Sequence, residues 1–483
     1  MQVTIGAAND LGSIKVSKTY LQVIYIALGI LVLAVTFRPI VEGDGVGYYA
    51  YLHAVLVTHS LDFTSEYNAA IAAHVPLYRP LVETHTSTGH LADYFPIGSA
   101  VLAAPAYIAA LALRPSGEPQ YGTPFVEAFT LTSLFLGLVA LAICYRLAVL
   151  LTHSRRAALA GVLGAALATP FTYYALSDPS YSHTFSIFAV SAFLYAWWLG
   201  PPQSGKGWFG LGLLGGLMAM TRFQEGLFLA VVLIDVRRLR WSALLLIPGA
   251  LVGFAPQLAV DQIQFGAWLP ERPPEQALDP LHGQYLAALF SSRDGLFVWS
   301  PAILVAALGI GFFIQDRRMR WACLLTFVLE LAIIGAAPDT PGRAFGPRRF
   351  LDLLPFAAVG LAAVAARVGP RLDWVVVGVL SGWNLVLDAN FVYVMRSSPP
   401  DDYVALLAGQ SDALASVPKL FAKGSVVRDL VLWRQAGAHF DPGHGFSLLL
   451  LQLVTVVTAV AVAQMPPDLP PAKSSAGVPG SDV

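Results

Sequence analysis

The sequence predicts an all-α protein threaded many times through a membrane. Three observations carry this. Only 12% of the 483 residues are charged and 56% are hydrophobic, where an average soluble domain is about 25% charged. Mean hydropathy is +0.64. Apolar runs close to the roughly 20 residues that cross a bilayer recur along the chain. So little charge cannot cover the surface of a large soluble enzyme, and so much apolar content excludes a disordered chain. The net charge of −1 offers no basic excess to hold a phosphate backbone, which excludes a nucleic-acid binder.

The elements follow in order. The first run, 20–37, comes after Lys15 and Lys18. It is too long for a signal peptide and lacks a small-x-small cleavage site, so it reads as a retained span with a cytoplasmic N-terminus. Later runs fall at 125–151, 157–175, 183–199, 208–221, 223–236, 242–260, 299–315, 320–337, 351–367, 372–394 and 446–464. The expected total is about 12 transmembrane helices. The runs 208–221 and 223–236 are short and meet at a break around Thr221 and Arg222.

The apolar stretch 97–113 is left out of that count. Pro96 and Pro105 break it, and counting it as a span would invert everything after it. Five short basic connections would then face outward, carrying Arg155 and Arg156, Lys206, Arg237 to Arg240, Arg317 to Arg320, and Arg367 with Arg371. The positive-inside rule places them in the cytoplasm instead. On that topology 15 of the 29 Lys and Arg lie inside, with only 6 of the 30 acidic residues. The outer side holds 23 acidic residues, and Glu330 lies within a span. The stretch 97–113 becomes a re-entrant or surface-lying helix on the outer face. Residues 1–464 form one transmembrane domain with outer loops at 38–123, 261–298 and 395–445. The tail 465–483, rich in Pro, Gly and Ser, is expected to be disordered and cytoplasmic. Cys144 and Cys323 sit in apolar runs and offer neither a disulfide framework nor a CxxC site. No internal repeat is visible, which counts against a secondary transporter.

Ionisable residues at a membrane are costly and are functional candidates by default. Glu42 and Asp44 follow the first span directly, with glycines at 43, 45 and 47. From Tyr48 onward the pattern suits an amphipathic helix lying on the membrane. A carboxylate beside such a helix is where a general base for a lipid-carried substrate belongs. The competing reading is a solvated loop carboxylate that caps the helix.

The segment "EGDGVGYYAYL" resembles the opening of the GT-C membrane glycosyltransferases, which include protein O-mannosyltransferases and lipid A aminoarabinose transferases. In that superfamily an Asp, often followed by an acidic residue, begins the first outer loop. Asp44 matches it; Gly45 stands where the acidic partner is common, and Glu42 is the substitute. The resemblance continues through "DYFPIGSAVLAAPAY" with Asp93 and Tyr94, "ALSDPSYSHTFSIF" with Asp178 and His183, and "MAMTRFQEGLFL" with Arg222 and Glu225. It extends to "QFGAWLPERPP", "LFSSRDGLFVWSP" with Arg293, and "AFGPRRFLDLLPF" with Arg348 and Arg349.

The resemblance implies a fold and a reaction. The fold is GT-C-like, with juxtamembrane helices on the outer face. The enzyme would be a hexosyl- or pentosyltransferase in a bacterial inner membrane. It would move a sugar from a polyprenyl phosphate to a hydroxyl of a glycan, lipid or protein at the outer face, inverting the anomeric centre. Asp44 would take the hydroxyl proton. Glu42, Tyr48, Asp93, Tyr94, Asp178, His183, Arg222, Glu225, Arg293, Arg348 and Arg349 are the expected substrate-binding set. Arg348 and Arg349 fit the donor phosphate, because guanidinium binds its oxygens as a bidentate fork. A divalent cation (Mg or Mn) held by Asp44 and Asp178 is the candidate cofactor. His85 and His90 with Glu83 and Asp93 could also ligate a metal on the first loop, although their spacing is not diagnostic.

Blander readings stand beside these. Arg348 and Arg349 could anchor to lipid headgroups. Arg222 and Glu225, three apart, could be a structural pair. Asp178-Pro179 is also a plain turn signal. The rival function is a transporter or flippase for a lipid-linked sugar, which would place ionisable residues deep in the membrane. Glu330 is the one carboxylate expected well inside a span.

Overall fold

The computed structural model describes residues 37–113, 118–268, 277–338, 344–393 and 400–423, apart from positions 79, 201, 203 and 239, together with Gly29. The expected spans at 20–37 and 446–464, but for Gly29 and Phe37, and the tail from 465 lie outside the described residues. Regular structure among those residues is helical, with only two isolated β-bridges.

The first loop folds around α1 (Gly45–His53) and α2 (Thr64–Ala72). It then enters α3 (Gly98–Leu113), which covers the expected stretch 97–113 as one helix containing Pro105. A run of antiparallel helices follows. These are α4 (Thr123–Thr152), α5 (Arg155–Leu167), α6 (His183–Trp198), α7 (Gly205–Thr221) and α8 (Phe223–Arg238), the last wound tightly with 3₁₀ character. The chain continues through α9 (Leu246–Phe265), α10 (Tyr285–Phe290), α11 (Pro301–Phe313) and α12 (Arg317–Ala336). It closes with α13 (Leu354–Val368), α14 (Leu372–Tyr393) and α15 (Tyr403–Lys423).

Among the described residues, four helices are long and apolar enough to cross a membrane on length and composition: Thr123–Thr152, Trp241–Phe265, Arg317–Ala336 and Arg348–Val368. One expected run is cut short. The stretch 157–175 stops being a continuous helix at Leu167, because Pro170 cannot continue it. Asn384 Nδ2 on α14 donates to the freed carbonyls of Leu167 and Thr169 at 3.2 and 2.9 Å. A buried helix end needs such a partner.

Small residues let the helices approach closely. Cβ atoms built at Gly212 and Gly216 on α7 would strike the α9 backbone carbonyls of Leu246 and Ala250. Gly249 and Gly253 answer them against Phe209 and Leu213. Helices in lipid associate mainly by van der Waals contact, so four-residue spacing of glycines on both partners supplies the fit. Gly309 of α11 and Gly360 of α13 meet in the same manner.

Charged contacts sort the helix termini into two ends. At one end Asp235 pairs with Arg318, which also donates to the carbonyls of Trp197 and Trp198. Trp198 Nε1 reaches Asp316, Arg156 pairs with Asp373, and Arg367 lies over Phe313. This is the basic end. At the other end lie Asp44 on the first loop and His183, Arg222, Glu330, Arg348 and Asp352 on or beside the opposite halves of the bundle helices. The two ends of α6 alone separate them by about 24 Å at the usual helical rise.

Candidate active site at one end of the bundle

The glycines around Asp44 have two separate reasons. Gly43 sits at φ +58°, a left-handed conformation costly for other residues. Its N–H donates to the Pro76 carbonyl at 2.7 Å. Gly45 and Gly47 instead permit close approach: a Cβ at Gly45 would collide with Ser180, and one at Gly47 with the Phe95 ring. The loop 178–182 therefore packs directly on the backbone that presents Asp44. Glu42 N–H donates to Ser180 Oγ at 3.3 Å, and Ser180 Oγ donates to Asp178 Oδ1 at 3.0 Å.

The helix α1 is not the amphipathic surface helix that its sequence suggests. Every residue from Gly45 to Leu52 is buried. Tyr49 is enclosed by Tyr107, Tyr121 and Phe129, and Tyr51 by Phe63. The later part of the first loop folds back over it, and helical periodicity alone does not reveal such a second cover.

Asp44 faces Arg348. Arg348 Nη1 donates to Asp44 Oδ2 at 2.7 Å, and its guanidinium lies 5.0 Å above the Tyr181 ring. Both side chains keep some exposure, 16% for Arg348 and 22% for Asp44. Arg348 Nε is buried with no acceptor. Tyr48 feels the charges of Asp44, Arg222 and Arg348; burial, then Asp44, push its hydroxyl up to about 12.

Arg222 is the second cationic centre. Its Nη1 lies 2.8 Å from His183 Nδ1 and 3.0 Å from Asp352 Oδ2. Donation to Nδ1 requires that nitrogen to be unprotonated. Ser186 closes Asp352 from the other side. Glu225 lies 3.9 Å from the Arg222 Nε, farther than Asp352, so the spacing of three in sequence is not the dominant pairing. Gln224 Nε2 links Glu330 at 2.8 Å to the Arg349 carbonyl at 3.1 Å. The charges of Arg222, Arg348 and Arg349 all bear on His183.

The structure thus gathers Asp44, Tyr48, His183, Arg222, Glu225, Arg348 and Arg349, with Glu42 and Asp178 on the flank. Burial and the neighbouring Glu42 hold the Asp178 carboxyl well above the usual carboxylate range. Asp93 and Tyr94 brace the loop instead. Asp93 accepts from Phe95 N–H at 2.9 Å, and burial pushes its carboxyl up to about 7. Tyr94 stacks on Phe265 with centroids 5.8 Å apart. Arg293 pairs with Asp401 at 2.5 Å on an exposed surface. Sequence reading missed Asp352, Gln224 and Ser180. Asp352 had a signal, four residues beyond Arg348 in the same segment. Glu330 is not the sole deep carboxylate: Asp261, Asp352 and Asp388 are also buried within or at the head of helices.

The donor set does not favour the expected cation. Asp44 spends one oxygen on Arg348, Asp178 accepts from Ser180, and no three His, Cys, Asp or Glu side chains converge among the described residues.

No family model matches the sequence, and no curated protein matches it. Two solved structures do. The crystal structure of ArnT from Cupriavidus metallidurans in the apo state aligns with a TM-score of 0.51 at 12% identity, over 92% of this chain and 76% of that one. The crystal structure of ArnT bound to undecaprenyl phosphate aligns with a TM-score of 0.51 at 14% identity, over 91% and 78%. The chain has the polytopic fold of ArnT.

Proposed function

We propose that this protein is a GT-C-type glycosyltransferase that moves a sugar from a polyprenyl phosphate to an acceptor hydroxyl. One observation carries the reading: a partly exposed carboxylate, Asp44, held by a guanidinium, Arg348, that still has a buried unused N–H. A base and an anion receptor therefore stand side by side. The likeness to an ArnT structure bound to undecaprenyl phosphate supports a lipid-linked donor.

The chemistry follows from those side chains. Asp44 Oδ1 accepts the proton of the acceptor hydroxyl as its oxygen attacks the anomeric carbon. The bond to the phosphate oxygen breaks, and the polyprenyl phosphate leaves as an anion. Arg348 stabilises that developing charge, with Arg349 and Arg222 adding positive potential. A direct displacement inverts the anomeric centre. The site lies at the end opposite the basic connections. By the positive-inside rule that end faces outward from a bacterial inner membrane, with both termini in the cytoplasm.

Asp44→Asn tests the assignment. Transfer of labelled sugar from a polyprenyl-phosphate donor should fall by about 10²–10⁴, the usual worth of a general base. Unchanged transfer by a folded variant would remove Asp44 from the mechanism. Lipid translocation without transfer in the unaltered protein would favour the flippase.

A further inference from the structure

A second site has its mouth at the basic end of the bundle. A cavity of about 600 Å³ opens between α11, α12 and α13. Its walls are apolar, with Ile303, Ile310, Phe327 and Phe356 among them, and its rim carries Arg317, Arg320 and Trp321. The volume falls within the roughly 300–1,000 Å³ of small-molecule sites.

Three features identify what it takes. The first is depth. Along α12 the lining runs from Arg317 to Phe327, about 15 Å at the helical rise. On α11 and α13 the lining reaches Ile303, Leu353 and Phe356, near the starts of those helices, so the slot is long enough for an extended acyl chain. The second is charge. Arg317 and Arg320, three apart on one helix, share the rim, while Arg318 between them turns away to Asp235. Neither rim arginine forms an ion pair among the described residues, and the nearby Asp316 already accepts from Met319 N–H and Trp198 Nε1. The third is the helix terminus. Arg317 begins α12, so the positive end of its dipole faces the same point.

We propose that this cavity seats an anionic glycerophospholipid from the leaflet at the basic end. Its phosphate lies on Arg317 and Arg320, Trp321 sits at the headgroup boundary, and one acyl chain runs between Ile310 and Phe356. A cation pair at the mouth of an apolar slot matches an anionic lipid of that leaflet. A polyprenyl chain whose phosphate sits at Arg348 would approach the same cavity from its Leu353 end, and undecaprenyl phosphate is therefore the competing occupant.

Quenching by chain-brominated lipids tests it, with the full-length protein in vesicles and a Trp321→Phe variant isolating the Trp321 signal. Brominated phosphatidylglycerol should quench Trp321 at lower mole fraction than brominated phosphatidylcholine, by about fivefold per rim arginine. Arg317→Gln with Arg320→Gln should abolish that preference. Gly311 lines the cavity, and a Cβ there meets no atom within 4 Å. Gly311→Leu should therefore fill the slot and weaken quenching by both lipids. Equal quenching by the two lipids, a preference that survives the double variant, or unaltered quenching in Gly311→Leu would overturn the proposal. So would displacement by undecaprenyl phosphate at equal mole fraction, which would give the cavity to an isoprenoid chain.

Discussion

Replacing Arg348 separates anion binding from proton removal. Its Nη1 holds Asp44 at 2.7 Å while its Nε is buried without an acceptor. On the proposed reading the donor's phosphate supplies that acceptor. A hydrogen bond involving a charged group is worth about 1.5–3 kcal/mol, or roughly 10- to 150-fold. Arg348→Lys keeps the charge and can still reach Asp44, but loses the fork and the stacking over Tyr181. It should raise the donor KM by about that factor with a smaller change in kcat. Arg348→Gln also removes the cation beside Asp44, so kcat should fall as well, to a combined loss of about 10³ in kcat/KM. The assay is initial-rate transfer from a polyprenyl-phosphate sugar in proteoliposomes, with donor and acceptor varied separately. Donor KM values within twofold of the unaltered protein for both variants would refute a phosphate role for Arg348.

Three other outcomes are expected. Burial raises the Asp93 carboxyl to about 7, so its contribution is complete below the unfolded value near 4 and is lost as pH rises through 7. Asp93→Asn should remove that fall, on the order of 4 kcal/mol at full titration, and a thermal melt from pH 5 to 8 as steep as that of the unaltered protein would contradict it. Gly43→Ala imposes a left-handed alanine, costing about 1–2 kcal/mol, and places a methyl 2.7 Å from the Tyr181 hydroxyl. Transfer should drop by more than the loss of folded protein, measured by size-exclusion yield. Ser116→Cys should react with an impermeant thiol reagent from outside; reaction only after permeabilisation would invert the topology.

Much of the fold was legible because lipid imposes a simple rule. Each apolar run from 125–151 to 372–394 corresponds to a helix, shifted by a few residues, except where Pro170 ends α5 early. The candidate site was legible in parts. Asp44, Arg222 and Arg348 stood out because charge next to an apolar run is expensive. Their grouping was not, since Asp44 and Arg348 lie 304 residues apart. Asp352 was passed over because it reads as an ordinary acidic residue at a helix start. The burial of α1 was hidden for a different reason: its cover, including Tyr107 on α3 and Phe129 on α4, comes from segments distant in sequence, which helical periodicity does not register.

The two cationic centres differ in a manner that assigns them different work. Arg222 is enclosed by carboxyls with no exposure, Asp352 at 3.0 Å and Glu225 at 3.9 Å, and by His183. An incoming phosphate would have to displace a buried carboxylate, and breaking a buried ion pair is strongly unfavourable. Arg348 is less committed, with a partner that is itself 22% exposed. A planar guanidinium can hold Asp44 through one N–H and a phosphate oxygen through another without giving up either. On the proposed reading this single side chain fixes the distance between the base and the leaving group. Arg222, locked among carboxyls, sets the potential around His183 and Tyr48. The glycines at 45 and 47 then acquire a purpose beyond turning: they bring the Asp44 backbone against Ser180 and Phe95, which sets the carboxylate within reach of Arg348.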